Sequence, residues 1–322
     1  MEMYAVPDSG RGRQVKTGIC TLFEGDYHLG LAAFVNSLVH ADYRGTIWVG
    51  YRGVMPPWLT QLSRGGNENE YNVTENCRLV FLSIDTSVHL TNYKPQFMLE
   101  LLAGRARECH YLWYFDPDIF LRCNWSFFVK WQSNGIALCE EIVNYNLADN
   151  SPIRAQWGKI GSEMGLGSPR PVRGYFNGGM IGISTAHMDL LHLWRRILDQ
   201  TVSGSYDLQA FKPGTPDLPF NATDQDALNM AVMYVDFPLS TMGPEAMGFI
   251  PSGFTMYHAV GHKPWRGSFL LRALAGNPPS NAAKFFLTQV SAPVRAYSRP
   301  HLAAKRLACS VAAFIGRFYA RR

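Results

Sequence analysis

No Asp or Glu occurs among residues 247–322 of this 322-residue chain, although eleven Lys or Arg lie there. Of the 30 basic residues that leaves 19 before residue 247, against 25 acidic ones, so the overall formal charge of +5 conceals an acidic body with a basic tail. Such asymmetry predicts that the tail meets something anionic. The excess of basic residues is confined to that tail and carries no base-reading motif, which argues against a nucleic-acid partner. Cysteine is scarce and unpaired in pattern. The six residues (Cys20, Cys77, Cys109, Cys123, Cys139, Cys309) include no C-x-x-C. This argues against a zinc site and a dense disulfide framework, and predicts a reducing compartment. No stretch approaches the roughly 20 apolar residues of a spanning helix. The first sixteen residues lack the apolar run of a signal peptide. The expectation is therefore a cytoplasmic protein. Three sequons, at Asn72, Asn124 and Asn221, carry no weight without a secretory signal. There is no internal repeat.

What is present suits a globular protein. Hydrophobic residues make up 47% and charged residues 17%, which excludes global disorder. The length fits one large α/β domain with an appendage, or two small domains. Residues 16–23 and 45–49 read as strands, with a helix over 27–39 between them. A polar, Gly/Asn-rich stretch over 63–76 reads as a loop, and 79–82 as a strand. A helix is expected over 96–103 and strands over 111–115 and 180–184. Further helices are expected over 186–198 and 224–232. Residues 158–173, rich in Gly, Pro and Ser, read as a loop. Strands alternating with helices imply a mostly parallel sheet with helices on both faces.

The sharpest local feature is Phe115-Asp116-Pro117-Asp118-Ile119, directly after an apolar strand. Open α/β sheets bind ligands outside the carboxyl ends of their strands. Two carboxylates there, one residue apart and held by proline, can grip a hard divalent cation. Such a cation would neutralise a diphosphate and stabilise it as a leaving group. Asp-Pro-Asp is equally good turn chemistry. Other segments carry the same ambiguity. Asn177-Gly178-Gly179 is an ordinary turn sequence, and Asp224-Gln225-Asp226 at a helix start could be simple N-capping. His258 alone reads as a core or surface histidine, and Lys263-Pro264-Trp265 as a loop anchor.

Five segments in order give these residues a shared meaning. They are TLFEGDYHLGLAAFVNSLV (21–39), Asp116-Pro117-Asp118, Phe176-Asn177-Gly178-Gly179-Met180, Thr223-Asp224-Gln225-Asp226-Ala227-Leu228-Asn229, and His258-Ala259-Val260-Gly261-His262-Lys263-Pro264-Trp265. In this order the chain resembles the retaining GT-A glycosyltransferases of family 8, whose relatives include glycogenin and bacterial lipopolysaccharide galactosyltransferases. The resemblance covers roughly residues 17–265. It implies an α/β GT-A nucleotide-diphospho-sugar transferase fold, with a mostly parallel central sheet flanked by helices and a C-terminal helical tail. It places the transferase domain at 16–266 and the tail at 267–322.

The same resemblance implies roles. Asp116, Asp118 and His258 would hold Mn²⁺ (or Mg²⁺), oxygen ligands plus one imidazole suiting manganese better than calcium. Asp116 would also lie near the donor ribose. Residues Thr21, Phe23 and Tyr27 would cover the base. Lys94 would contact the donor sugar and phosphate, while Gly261 and Lys263 would lie against the diphosphate. Asn177, Gly178 and Gly179 would sit beside the donor sugar. Asp224 and Gln225 would line the reacting face, orienting and stabilising a cationic anomeric centre on a front-face route, since an amide is a poor nucleophile. Between His258 and Lys263 the spacing is five, one shorter than the six common in the family, so His258 and His262 both stand as candidate metal ligands. The family often has Asn-Ala-Gly where this chain has Asn177-Gly178-Gly179. The implied activity is transfer of a hexose, by family habit from a UDP-sugar, to a glycan or lipid-linked glycan. Two rival classes remain, a nucleotidyltransferase and a non-catalytic nucleotide- or sugar-binding relative. The opening TLFEGDYHLG lacks the Arg or Lys usual in the first, and the intact Asp116, Asp118 and His258 argue against the second.

In the tail, a helix from about Pro300 would place Leu307, Val311, Phe314, Ile315 and Phe318 on one face, with Arg306, Arg317 and Arg321 along its flank. That is the pattern of a helix lying on an anionic membrane surface. The alternative is a terminal helix docked on the protein's own core.

Overall fold

The computed structural model describes residues 15–144, 147–202, 206–212 and 219–318. Its centre is a nine-stranded sheet. The chain enters with β1 (Thr17–Glu24), crosses through α1 (His28–His40) and returns as β2 (Gly45–Arg52). A short antiparallel pair, β3 (Ser63–Arg64) and β4 (Glu70–Thr74), then leads into β5 (Cys77–Ser83). Helix α2 (Lys94–Ala103) carries the chain back to β6 (Tyr111–Phe115). Strands β6, β1, β2 and β5 lie side by side and parallel.

The second half extends the sheet beyond β6. A short strand β7 (Ile119–Leu121) and α3 (Trp125–Gln132) precede β8 (Ile136–Cys139). Then come α4 (Pro152–Glu163), β9 (Met180–Ser184), α5 (Asp189–Ile197), α6 (Thr223–Val232) and β10 (Leu239–Met242). The sheet order is β10-β8-β9-β6-β1-β2-β5-β4-β3. Strand β9 runs antiparallel to β6 and pairs Met180 with Phe115, so residues 177–179 arrive beside the carboxyl end of β6. Outside the main sheet, β7 pairs antiparallel with β11 (Met256–His258), which sets His258 opposite Ile119.

Burial on both faces explains the near-continuous apolar strands, as expected for parallel strands covered on both sides. On β1, Cys20 and Leu22 pack with Phe97, Met98 and Trp194 from α2 and α5. Ile19 and Phe23 face the other way, onto Phe34 and Val35 of α1 and a cluster including Trp113, Trp125 and Phe128. Strand β4, next to the edge, alternates instead, burying Tyr71 and Val73 and exposing Asn72 and Thr74, which corrects the loop expected over 63–76. A second correction concerns 158–173. Residues through Glu163 belong to α4, whose cap Ser151 accepts a hydrogen bond from the Arg154 N–H and whose Trp157 and Gly161 are buried.

The basic tail forms α7 (Phe269–Leu274), α8 (Asn281–Gln289) and α9 (Arg299–Ile315). Phe286, Leu287, Val290, Leu302 and Cys309 pack with Trp265 and with Ala33 and Phe120 of the body. Helix α9 therefore docks through Leu302, Cys309 and Ala312. Its other apolar face stays outside. Leu307, Val311, Phe314 and Phe318 are 67%, 41%, 55% and 76% exposed, and Leu271 and Leu274 of neighbouring α7 are exposed with them. The two readings of the tail describe different faces of one helix. Arg306 departs from the expected flank, donating to the Leu287 carbonyl. Arg321 lies outside the described residues. No helix among the described residues is long and apolar enough to cross a membrane.

Candidate active site

The carboxyl ends of β1 and β6, the segment before β9, the start of α6 and the loop after β11 enclose a cleft of about 660 Å³. That is within the usual size of a ligand site. At its floor the chain turns sharply after Phe115. The Asp116 N–H donates to the Gly179 carbonyl at 2.7 Å, and the Ile119 N–H returns to the Asp116 carbonyl at 3.0 Å. The turn reading of Asp-Pro-Asp is thus correct for the backbone, and it leaves both carboxylates directed to one point. His258 Nε2 lies 3.4 Å from Asp118 Oδ1 and 4.0 Å from Asp116 Oδ2. One ligand atom from each of the three residues falls within 4.8 Å of the others. Gly179 has to lack a side chain here, because a Cβ would come 2.7 Å from the His258 ring and 2.9 Å from Asp116 Oδ2.

Two carboxylates and an imidazole, converging in a mostly buried corner, could hold a metal ion. His262 is not part of this group. It is exposed, and its Nε2 is engaged with the Arg266 carbonyl at 2.6 Å. The choice between the two histidines is therefore made by the pairing of β7 with β11.

Two lysines answer the buried negative charge. Lys263 Nζ donates to Asp118 Oδ2 at 2.5 Å and to the Ala259 carbonyl at 2.9 Å. Burial alone would push the Asp118 carboxyl up, but His258 and Lys263 beside it hold it well below the usual range. Asp116 goes the other way, raised by burial and by the neighbouring Asp118 charge against the opposing pull of Lys94.

Lys94 opens α2, followed by Pro95 in the first turn where a missing N–H costs nothing. Its ammonium reaches Asp116 Oδ1 at 3.2 Å, the Gly178 carbonyl at 2.9 Å and Asp224 Oδ2 at 2.9 Å. Burial would lower its pKa, yet the facing Asp116 and Asp224 carboxylates hold it above the ordinary lysine value. An ammonium has three donors, and these contacts employ them. Lys94 is thus a strut between the paired carboxylates and the start of α6, in the lining of the cleft.

Helix α6 begins without a side-chain cap from Asp224, so the simple N-cap reading of Asp224 is incorrect. Gln225 Oε1 accepts the Gly178 N–H at 2.8 Å, and Asn177 Oδ1 accepts the Gly179 N–H at 2.8 Å. Deeper in, Asp226 accepts from the Tyr175 hydroxyl at 2.6 Å and the Ala222 N–H at 2.7 Å. Asn229 exchanges hydrogen bonds with both backbone groups of Phe176 at 2.8 Å. One helix thereby fixes the whole Tyr175–Gly179 strip against the floor of the cleft.

Phe23, Tyr27, Lys94, Asp116, Asp118, Asn177, Gly178, Gly179, Asp224, Gln225, His258, Gly261 and Lys263 all line the cleft. Thr21 does not. It is fully buried within β1, one position short of the rim, because the strand runs to Glu24 before the chain turns. No residue of 158–173 lines the cleft either.

Sequence reasoning missed Glu141, whose carboxylate accepts from the Asn177 amide, and His89 and Arg266 at the walls. For Glu141 a signal existed. Like Asp116, it follows closely on a short apolar strand, here Ile-Ala-Leu-Cys.

No protein-family model matches the chain, and no curated protein matches it. Among solved structures it is similar to the apo structure of the bifunctional glycosyltransferase WbbM, at 14% identity and a TM-score of 0.54. The match takes in 93% of this chain and 53% of that one, so the chain spans about half the length of that protein. The likeness establishes a glycosyltransferase fold.

Proposed function

We propose that this chain is a metal-dependent, retaining glycosyltransferase of the family 8 kind, moving a hexose from a UDP-sugar to a glycan or lipid-linked glycan. The observation that carries the proposal is the convergence of Asp116, Asp118 and His258 in the floor of the cleft of a glycosyltransferase fold. A bare nucleotide-binding module has no need of three ligand atoms converging on one point.

On this reading Asp116, Asp118 and His258 hold Mn²⁺ or Mg²⁺, which would supply positive charge to a diphosphate leaving group. Lys263 stands beside Asp118 and gives a second positive charge on the same side. Gly261, with no side chain, lets backbone approach the phosphates. Phe23 and Tyr27 wall the base. The sugar lies along Asn177, Gly178 and Gly179. Gln225 is held by its own oxygen to the Gly178 N–H, which leaves that oxygen poorly placed to act as a nucleophile. Asp224, fixed by Lys94, stands beside Gly178 and favours positive charge developing at the anomeric carbon. The product keeps the donor's anomeric configuration. The exposed apolar face of α7 and α9, set in a segment without acidic residues, would rest on an anionic membrane. On this reading the acceptor is a lipid-linked or lipopolysaccharide-type glycan on the cytoplasmic side.

The test is nucleotide release from a panel of UDP-, GDP- and CMP-sugars with Mn²⁺ and then with a chelator, with Asp118→Ala alongside. Mn²⁺-dependent turnover of one donor, lost in the variant, is the expected outcome. Absence of Mn²⁺-dependent binding of any nucleotide would overturn the proposal.

A further inference from the structure

A second group of charges sits at the rim of the same cleft. Asp26 lies in the turn after β1, and Arg266 closes the loop after β11, 240 residues later. Arg266 Nε meets Asp26 Oδ2 at 2.6 Å and its NH2 meets Asp26 Oδ1 at 2.5 Å, a two-pronged pairing. Between them stands Tyr27. The Arg266 guanidinium lies 5.2 Å and Lys263 Nζ 5.6 Å from the centre of its ring. Trp265 meets the same ring edge-on at 5.4 Å.

The loop bearing Lys263 is anchored on one side only by apolar contact. Trp265 is buried, tilted against Phe286 with ring centres 5.6 Å apart, and seated over Gly30, where a Cβ would come 2.6 Å from its ring. The Arg266 N–H folds back on the Lys263 carbonyl at 3.0 Å, so Lys263 and Arg266 move as one turn. Lys263 itself ties this turn to the body through Asp118, and on the open side the tie is the Arg266–Asp26 fork.

We infer that Asp26 and Arg266 are a positioning pair that holds Tyr27 and Lys263 against a bound nucleoside diphosphate and slows its departure. The inference rests on the nucleotide-sugar reading of the cleft. The two side chains are 41% and 49% exposed. A pair so placed adds little to global stability, yet it joins the two loops between which the nucleotide would lie. The Arg266 hydrogen bonds hold the Asp26 carboxyl below its usual range, so the pair stays charged through the neutral range. The pair acts through Tyr27 and Lys263.

The experiment uses the full chain with Mn²⁺ and a fluorescent N-methylanthraniloyl UDP, displaced by excess UDP in a stopped-flow instrument. Asp26→Asn and Arg266→Gln are each expected to release the probe about fivefold faster, the most a pair of this exposure would supply. Their melting midpoints should match the wild type. The charge-exchanged double variant D26R/R266D should recover slow release. In about 1 M salt, where screening acts within about 3 Å, the wild type should approach the single variants. Binding by the wild type with release unchanged in both single variants overturns the inference alone. So does failure of the exchanged pair to recover slow release while its melting midpoint is unchanged. No Mn²⁺-dependent binding by the wild type overturns the nucleotide-sugar reading, and this inference with it.

Discussion

Replacing Lys94 by Met keeps most of the side chain's volume and removes its charge. The residue is 2% exposed, and its ammonium separates Asp116 from Asp224 while also satisfying the Gly178 carbonyl. Loss of one member of a buried ionic group costs about 3–5 kcal/mol, because the partners stay buried without compensation. An orphaned carbonyl alone would cost about 1–3 kcal/mol. The two contributions share one site and do not add, so the expected loss at neutral pH is about 3–5 kcal/mol. Burial already raises Asp116. Without Lys94 it rises further, and a folded-state pKa above the unfolded value means that stability returns as pH falls through the folded value. Urea unfolding at about pH 8 and about pH 5 should therefore show a large deficit at the higher pH and a smaller one at the lower. Adding Asp224→Asn to Lys94→Met removes one of the stranded charges and should recover part of the deficit. A loss below about 1 kcal/mol at pH 8, the size of an unremarkable substitution, would refute the view of Lys94 as the strut of the site.

Three further outcomes are expected. Burial raises the Asp226 carboxyl to about 6, above its unfolded value near 4. The folded state then binds the proton more tightly, so this residue's contribution to stability falls as pH rises between those values. The stability of the wild type relative to Asp226→Asn should fall by about 2 kcal/mol from pH 4 to pH 7, and a flat difference in urea midpoints would count against it. In Gly30→Ala, the new Cβ comes 2.6 Å from both the Pro117 carbonyl and the Trp265 ring. Overpacking of this kind costs about 1–3 kcal/mol, measurable as a lower melting midpoint. Phe314→Ser with Phe318→Ser should leave folding stability within about 0.5 kcal/mol, as both rings are exposed. Sedimentation with anionic phosphatidylglycerol vesicles should weaken on the order of 100-fold. Unchanged sedimentation would remove the membrane from the proposed function.

Much of the frame was legible in the amino-acid order. Strands β1, β2, β5, β6 and β9, and helices α1, α2, α5, α6 and α9, were expected within a few residues of their bounds. Apolar runs and helical spacing act over a handful of neighbours, and covalent spacing dictates them. Asp116 and Asp118 were legible for the same reason, as a turn directly after an apolar strand. The misses have physical causes too. Strand β4 was read as a loop because its outward residues are polar and only Tyr71 and Val73 point inward. Residues 158–163 were read as a loop from their glycine and serine, although Trp157 and Gly161 bury one side of α4.

Tertiary structure decided the remainder, because it depends on the register between segments far apart in the chain. Local pattern cannot separate His258 from His262, but pairing of β7 with β11 puts only the former beside Asp118. Lys94 belongs to the site because α2 packs where its ammonium meets carboxylates 22 and 130 residues away. The two faces of α9 were both apolar enough to dock. The one that did packs in a cluster with Phe286, Leu287 and Trp265, and the more strongly apolar face stays exposed.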